Sequence, residues 1–242
     1  MASARIGSQN DSLEETPLGV RFGRIHRCRA ARLERLCQSG DADRLRQSSP
    51  LQLNSTGPDF ADVLAFWFGA PNSRERGRPR KLWFEKAEAF DAEIRRRFLA
   101  TWDRAARDEL GRWQATPLAS LALVVTLDQF PRNMFRGTAR AFASDSVALA
   151  AARETIARGF DRLLSPVERP FVYLPFTHAE DLAAQRRSLA LFHTLDRESV
   201  ESARRHYEII ARFGRFPHRN AVLGRQSTAE EIEFLKQPGS SF

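Results

Sequence analysis

Cysteine is nearly missing from this chain: its 242 residues hold two, Cys28 and Cys37, both near the N-terminus. Two thiols build neither a disulfide framework nor a four-thiolate zinc site, and beyond residue 57 there is no cysteine nucleophile. Lysine is almost as scarce. Lys81, Lys86 and Lys236 are the only three among 38 basic residues, so the formal net charge of +8 is arginine charge. No apolar run approaches the roughly 18 residues that a membrane helix needs, so no membrane span is expected and the chain reads as cytoplasmic. There is no Gly-rich phosphate loop, no Gly-x-Ser-x-Gly elbow and no His-x-x-x-His or Glu-x-x-His helix. The expectation is therefore no cofactor, no metal centre, and no hydrolase built on a nucleophile elbow. A metal site assembled from His178 and Asp181 with His206 or His218 lacks a second paired-ligand helix and is set aside.

The arginines are spread along the whole chain and alternate with acids, as in EAFDAEIRRRF and DRAARDELGRW. A nucleic-acid binder concentrates its basic residues on one face or in one run, so nucleic acid is an unlikely partner. Arginine instead suits bidentate contacts to carboxylates and phosphates, which points to a small anionic molecule or a peptide.

An apolar share of 42% with 28% charged residues fits one ordinary globular domain with a tail. Residues 1–57, rich in Ser, Arg and Gly, read as an N-terminal extension, disordered or partly helical. Leu18, Phe22, Ile25, Leu33 and Leu36 recur there at near-helical spacing among arginines, the pattern of a basic amphipathic helix; a solvated tail is the plainer reading. Residues 58–242 read as an all-α domain of about eight or nine helices. Thr116-Pro117 and Ser165-Pro166 place capping residues before prolines, and Ser165…Glu168, Thr177…Glu180 and Ser227…Glu230 have capping-box spacing. Phe90, Ile94, Phe98 and Trp102 step by four, and Leu182, Leu189, Phe192 and Leu195 share another helical face. Trp67, Phe68, Trp83 and Phe84 are assigned to helix packing rather than to a stacking platform.

The segments VLAFWFG (63–69), LWFEKAEAFDAEIRRRF (82–98), LDQFPRNMFRGTARAFASD (127–145), ERPFVYLPFTHAEDLAAQRRSLALF (168–192) and ARFGRFPHRNAVLGRQSTAEEIEFL (211–235) resemble the bacterial family catalogued as domain of unknown function 924. The resemblance covers residues 58–235. It implies an all-helical, tetratricopeptide-like stack of antiparallel helix pairs and supplies no biochemical activity. Tetratricopeptide-like folds often present a concave protein-binding face, which is an analogy of fold only.

Candidate site residues follow from polar groups that local structure leaves unexplained. A helix ending at the apolar run LALVVTL sets Asp128 against its own carbonyl end, an unfavourable pairing that calls for a positive partner. FPRN at 130–133 and FPHRN at 216–220 echo one another, and an arginine of the second is the expected partner. Phe-Pro itself reads as a helix stop. Thr177, Glu180 and Asp181 are accounted for as helix-start chemistry, whereas His178 is not. The proposed ligand-binding set is Asp128, Arg132, Asn133, His178, Arg215, His218, Arg219 and Asn220, lining a cleft for a small anion. Two rival readings are a peptide-binding scaffold and an enzyme using His178 beside Asp128 or Glu180 for acid–base chemistry.

Overall fold

The computed structural model describes residues 57–241 apart from Phe84. The amphipathic helix read within residues 1–57, and Phe84, lie outside the described residues, all of which fall in one compact unit spanning residues 54–242. Among the described residues there are eight α-helices joined by turns and 3-10 segments, and no strand. No helix among them is long and apolar enough to cross a membrane.

Helix α1 (Phe60–Phe68) starts at a complete capping box. Asp59 accepts from the backbone of Ala61 and Asp62, and the Asp62 side chain accepts from Asp59 N–H. It stops at Gly69, whose φ of 91° disfavours any side chain and where a Cβ would lie 2.7 Å from Ser73 Oγ. Helix α2 (Glu88–Ala106) buries Ile94, Phe98 and Trp102, three of the four residues on the expected stripe. Helix α3 (Pro117–Met134) is capped by Thr116, which accepts from Ala119 N–H at 3.3 Å. It is buried almost from end to end, with α1, α2, α4 and α5 packed around it. Helices α4 (Asp145–Ala157), α5 (Arg169–His178), α6 (Leu182–Phe192), α7 (Arg197–Phe213) and α8 (Ala229–Leu235) follow. The odd helices α1, α3, α5 and α7 touch in succession, and α2, α4 and α6 each pack on a neighbouring odd helix.

The larger core is aromatic. Trp67, Phe68 and Trp83 are buried, Phe171 meets Trp83 edge-on at 4.9 Å, and Phe98 meets Phe130 at 4.9 Å. This bears out the packing assignment for the described members of that group. A smaller apolar cluster of Ile209, Ile210 and Phe216, with Leu182, Phe213 and Phe234 against it, lies at the far end of α7.

Several local readings are corrected. Phe130-Pro131 does not stop a helix: Pro131 lies inside α3. Proline lacks the N–H that would satisfy the carbonyl four residues back. That carbonyl, Leu127 O, instead accepts the Ser144 hydroxyl at 2.6 Å, and Ser144 Oγ in turn accepts from the Trp102 indole at 2.9 Å. The run FVYLPF is itself helical, so His178 ends α5 instead of starting a helix. Thr177 and Glu180 form no capping box; α6 is capped by Asp181, which accepts from Ala184 N–H at 2.7 Å. The last box sits one residue later than expected, at Thr228 and Glu231. Glu168 does accept from the N–H and hydroxyl of Ser165, closing a turn just ahead of α5.

Candidate functional site

Asp128 lies well inside α3, on a face that meets α5, and is fully buried. Because the helix runs on to Met134, the carboxylate is not at a helix C-terminus and the expected dipole conflict does not arise. Its partners are close. His178 Nδ1 is 2.8 and 3.0 Å from its two oxygens, and the Gln129 amide donates to Oδ2 at 2.6 Å. Arg132, one turn along, brings Nη1 to 3.3 Å from Oδ1 and donates to the Asp128 carbonyl at 2.5 Å. The end of α5 is held in place by α6. Buried Gln185 donates Nε2 to the carbonyls of Thr177 (2.6 Å) and Ala179 (2.9 Å), and the hydroxyls of Thr177 and Ser188 meet at 2.7 Å.

Asp145 begins α4, where a carboxylate complements the positive end of the helix. Arg132 approaches it through both terminal nitrogens, Nη1 at 2.9 Å from Oδ1 and Nη2 at 3.1 Å from Oδ2. Arg219 reaches the same Oδ2 at 3.1 Å and donates from Nη2 to the His178 carbonyl at 3.1 Å. Its guanidinium lies 4.4 Å from the Phe142 ring centre and 4.6 Å from that of Phe216. Only 7% of Arg219 is exposed, and its Nε has no hydrogen-bond partner among the described residues.

Burial pushes the Asp128 carboxyl up, but the charge of Arg132, the polar His178 ring beside it and the hydrogen bonds from His178 and Gln129 outweigh it and hold the group at about 2. Burial pushes His178 below its ordinary value, Arg132 acts the same way, and Asp128 only partly opposes them. The pair is a charged Asp128 and a neutral His178 donating from Nδ1, which leaves a lone pair on Nε2. His206 of α7 has its ring 6.3 Å from that of His178 and donates from Nδ1 to the Ser202 carbonyl at 2.8 Å; burial holds it down to about 3. Burial, then Arg219, hold His218 down to about 4.

Of the residues expected from sequence, Asp128, Arg132, His178 and Arg219 come together, with His218 beside them. Asn133, Arg215 and Asn220 do not join them. Asn133 donates to Asp91 at 2.7 Å, alongside Arg136. Arg215 grips Glu231 with two donors, Nε to Oε1 at 2.6 Å and Nη2 to Oε2 at 2.8 Å. Asn220 donates to the same Oε2 at 3.2 Å. Asp128 is paired by His178 and Arg132, not by an arginine of the RFPHRN turn, and the turn enters the cluster through Asp145. Glu180 pairs with Arg225 at 2.6 Å and accepts from Phe216 N–H at 2.8 Å.

Asp145 was missed. An acid at the first residue of a helix looks fully explained by the helix, which hides its long-range partners. Gln129, Gln185 and His206 carry no motif; only their apolar surroundings mark them as polar groups that need a partner.

Two cavities lie elsewhere. One, of about 200 Å³, is lined by Arg205, Ile209, Arg212, Phe213 and Phe234 among others. The second, about 660 Å³ and more open, is lined by Arg95, Arg96, Leu99, Ala100, Asp103 and Arg140. The histidine cluster is a packed seam whose edge reaches solvent at His178, Arg132 and Asp145, with 16%, 19% and 18% of their side chains exposed. Among the described residues no three His, Asp or Glu side chains converge as metal ligands.

The molecule is thus an all-helical protein with a buried aspartate–histidine–arginine seam. The sequence model of the family described as "Bacterial protein of unknown function (DUF924)" matches residues 63–239, and the chain belongs to that family. A solved structure of a protein of unknown function from Agrobacterium tumefaciens is similar, with 45% sequence identity, a TM-score of 0.67, and coverage of 73% of this chain and 96% of that one. No curated protein matches the chain.

Proposed function

We propose that the chain binds a small carboxylate- or phosphate-bearing molecule where His178 and Arg219 meet. The observation that carries this reading is Arg219: a guanidinium held between two phenyl rings, with Nε buried and unsatisfied. A buried donor without a partner is costly, and an acidic ligand that reaches Nε removes that cost. His178, once protonated at Nε2, adds a donor for an oxygen of the same ligand.

The local charges sharpen the proposal. Arg132 and Arg219 are matched by Asp128 and Asp145, so an incoming anion has no spare positive charge to meet. Protonation of His178 supplies it. The groups facing His178 are Asp128 and Arg132 from α3, Asp145 from α4, His206 from α7, and Arg219 and His218 from the turn, with the Glu180–Arg225 pair beyond. An anion added to this set raises the His178 pKa from its lowered value, so binding takes up a proton and affinity rises as pH falls.

The acid–base reading has its own support in the Asp128–His178 hydrogen bond, which fixes the imidazole with Nε2 available to take a proton. It shares the site and differs in predicting turnover. The scaffold reading draws little support: the exposed large apolar residues, Leu118, Leu163 and Ile232, stand on three separate elements.

Calorimetric titration with a panel of carboxylated and phosphorylated metabolites, run at pH 6 and 8 in buffers of different ionisation enthalpy, tests the proposal. The expected result is a saturable ligand that binds more tightly at pH 6 with proton uptake. Stabilisation should be about 2.7 kcal/mol at a hundredfold excess over Kd. His178→Gln should abolish the proton uptake. A panel with no saturable binder, or proton uptake unchanged in His178→Gln, overturns it.

A further inference from the structure

A region of unmatched positive charge lies away from the charge-balanced histidine seam, on the outer face of α2. Arg95, Arg96, Leu99, Ala100 and Asp103 follow one another along that helix and line the open groove of about 660 Å³, with Arg140 from the turn after α3 facing them. Most carboxylates near this face are already engaged. Glu93 holds Arg96 at 2.7 Å, Asp103 holds Arg107 at 2.6 Å, and Asp91 holds Arg136 at 2.5 Å. Arg95 and Arg140 form no ion pair among the described residues.

What positions those two arginines is aromatic and backbone contact. Arg140 sits 4.2 Å from the ring centre of Phe135 and 4.8 Å from that of Trp102. Arg95 sits 5.5 Å from the same Phe135 ring and donates to the Met134 carbonyl at 3.2 Å. Both rings are buried and Trp102 is anchored to Ser144, so the platform under the guanidiniums is rigid. Stacking fixes the plane of each guanidinium and leaves donor edges for an anion, an orientation lysine cannot reproduce. Two like charges gathered on one ring repel each other, and a doubly charged oxyanion between them reverses the sign of that interaction. The groove volume falls within the range of small-molecule sites. Leu99 and Ala100 give it an apolar strip beside the charges.

We propose that this groove is a binding site for a phosphate monoester carried on a small apolar group, the phosphate held by Arg95 and Arg140 and the apolar part lying along Leu99 and Ala100. The site is independent of His178 and Arg219.

The test is calorimetric titration of the full chain with phenyl phosphate and, separately, inorganic phosphate, at pH 7.5 and 150 mM salt. Phenyl phosphate should bind one-to-one and more tightly than inorganic phosphate. The Arg95→Gln/Arg140→Gln double variant should lose at least tenfold in affinity, and Arg140→Lys should lose part of it. Both side chains are exposed, so thermal melts of these variants should match the parent; Arg140→Lys keeps the charge and serves where the double variant melts early. Full affinity in the double variant, no saturable binding at this salt, or loss of phenyl phosphate binding in His178→Gln overturns the assignment, the last by moving the ligand to the seam.

Discussion

FPRN at 130–133 and FPHRN at 216–220 are near-copies in sequence, and they fold differently. In the first, proline sits inside α3; in the second, Pro217 opens a 3-10 turn after α7 has already ended at Gly214, whose φ is 70°. An interior proline costs a helix about 3 kcal/mol. α3 bears that cost because stopping at Phe130 would withdraw Phe130, Asn133 and Met134 from burial, and because Ser144 takes over the orphaned Leu127 carbonyl. The arginines of the two copies, Arg132 and Arg219, nevertheless meet on one carboxylate, Asp145. The asparagines diverge to Asp91 and Glu231. A short motif does not determine its own conformation; the surroundings that must be satisfied do.

The largest expected effects come from removing the carboxylates that hold the arginines, Asp128 for the first copy alone and Asp145 for both. Asp128→Ala strands a buried histidine and arginine, and Asp145→Ala strands two arginines. Each should destabilise by about 3–5 kcal/mol in chemical denaturation, Asp128→Ala the more because its carboxylate is wholly buried. A loss below about 0.5 kcal/mol at Asp145 would separate the copies energetically.

An intermediate effect isolates the proline. Ser144→Ala leaves the Leu127 carbonyl and the Trp102 indole without their partner and should cost about 1–3 kcal/mol. Restoring the backbone donor with Pro131→Ala should recover part of that loss, so a double-mutant cycle should show coupling. Strict additivity would mean that the hydroxyl does not substitute for the missing N–H.

The smallest effect concerns Arg215. Because it grips Glu231, Arg215→Lys should lower the melting temperature slightly, less than Ser144→Ala does, and leave ligand-induced shifts unchanged. A weakened ligand response would return Arg215 to the binding site.

Much of the fold was legible because it rests on local chemistry: the Thr116 cap, the four-residue stripe of α2, the buried Trp67 and Phe68. The site was legible in part. Asp128, Arg132, His178 and Arg219 stood out as polar groups in apolar or crowded segments, and the structure brings them together. Their pairing was not legible, because the polar contacts form across 13, 50 and 74 residues of chain, as in Arg132–Asp145, His178–Asp128 and Arg219–Asp145. Local rules also misled where tertiary contact overrode them: the carbonyl freed by Pro131 found a hydroxyl outside its helix, and Glu180, spaced as a helix cap, was drawn away to Arg225.

The turn that carries Phe216 is tied to the preceding helices by a set of polar contacts. Glu180 accepts from the Phe216 amide, Arg225 bridges Glu180 and the Phe216 carbonyl, and Arg219 spans to Asp145. An aromatic core opens only by exposing its rings to water, whereas a joint of charges is loosened by ions and protons. In hydrogen-exchange terms, the 216–235 stretch forms a unit able to open while the aromatic core stays protected, and salt or acid should register there before it registers anywhere in α3.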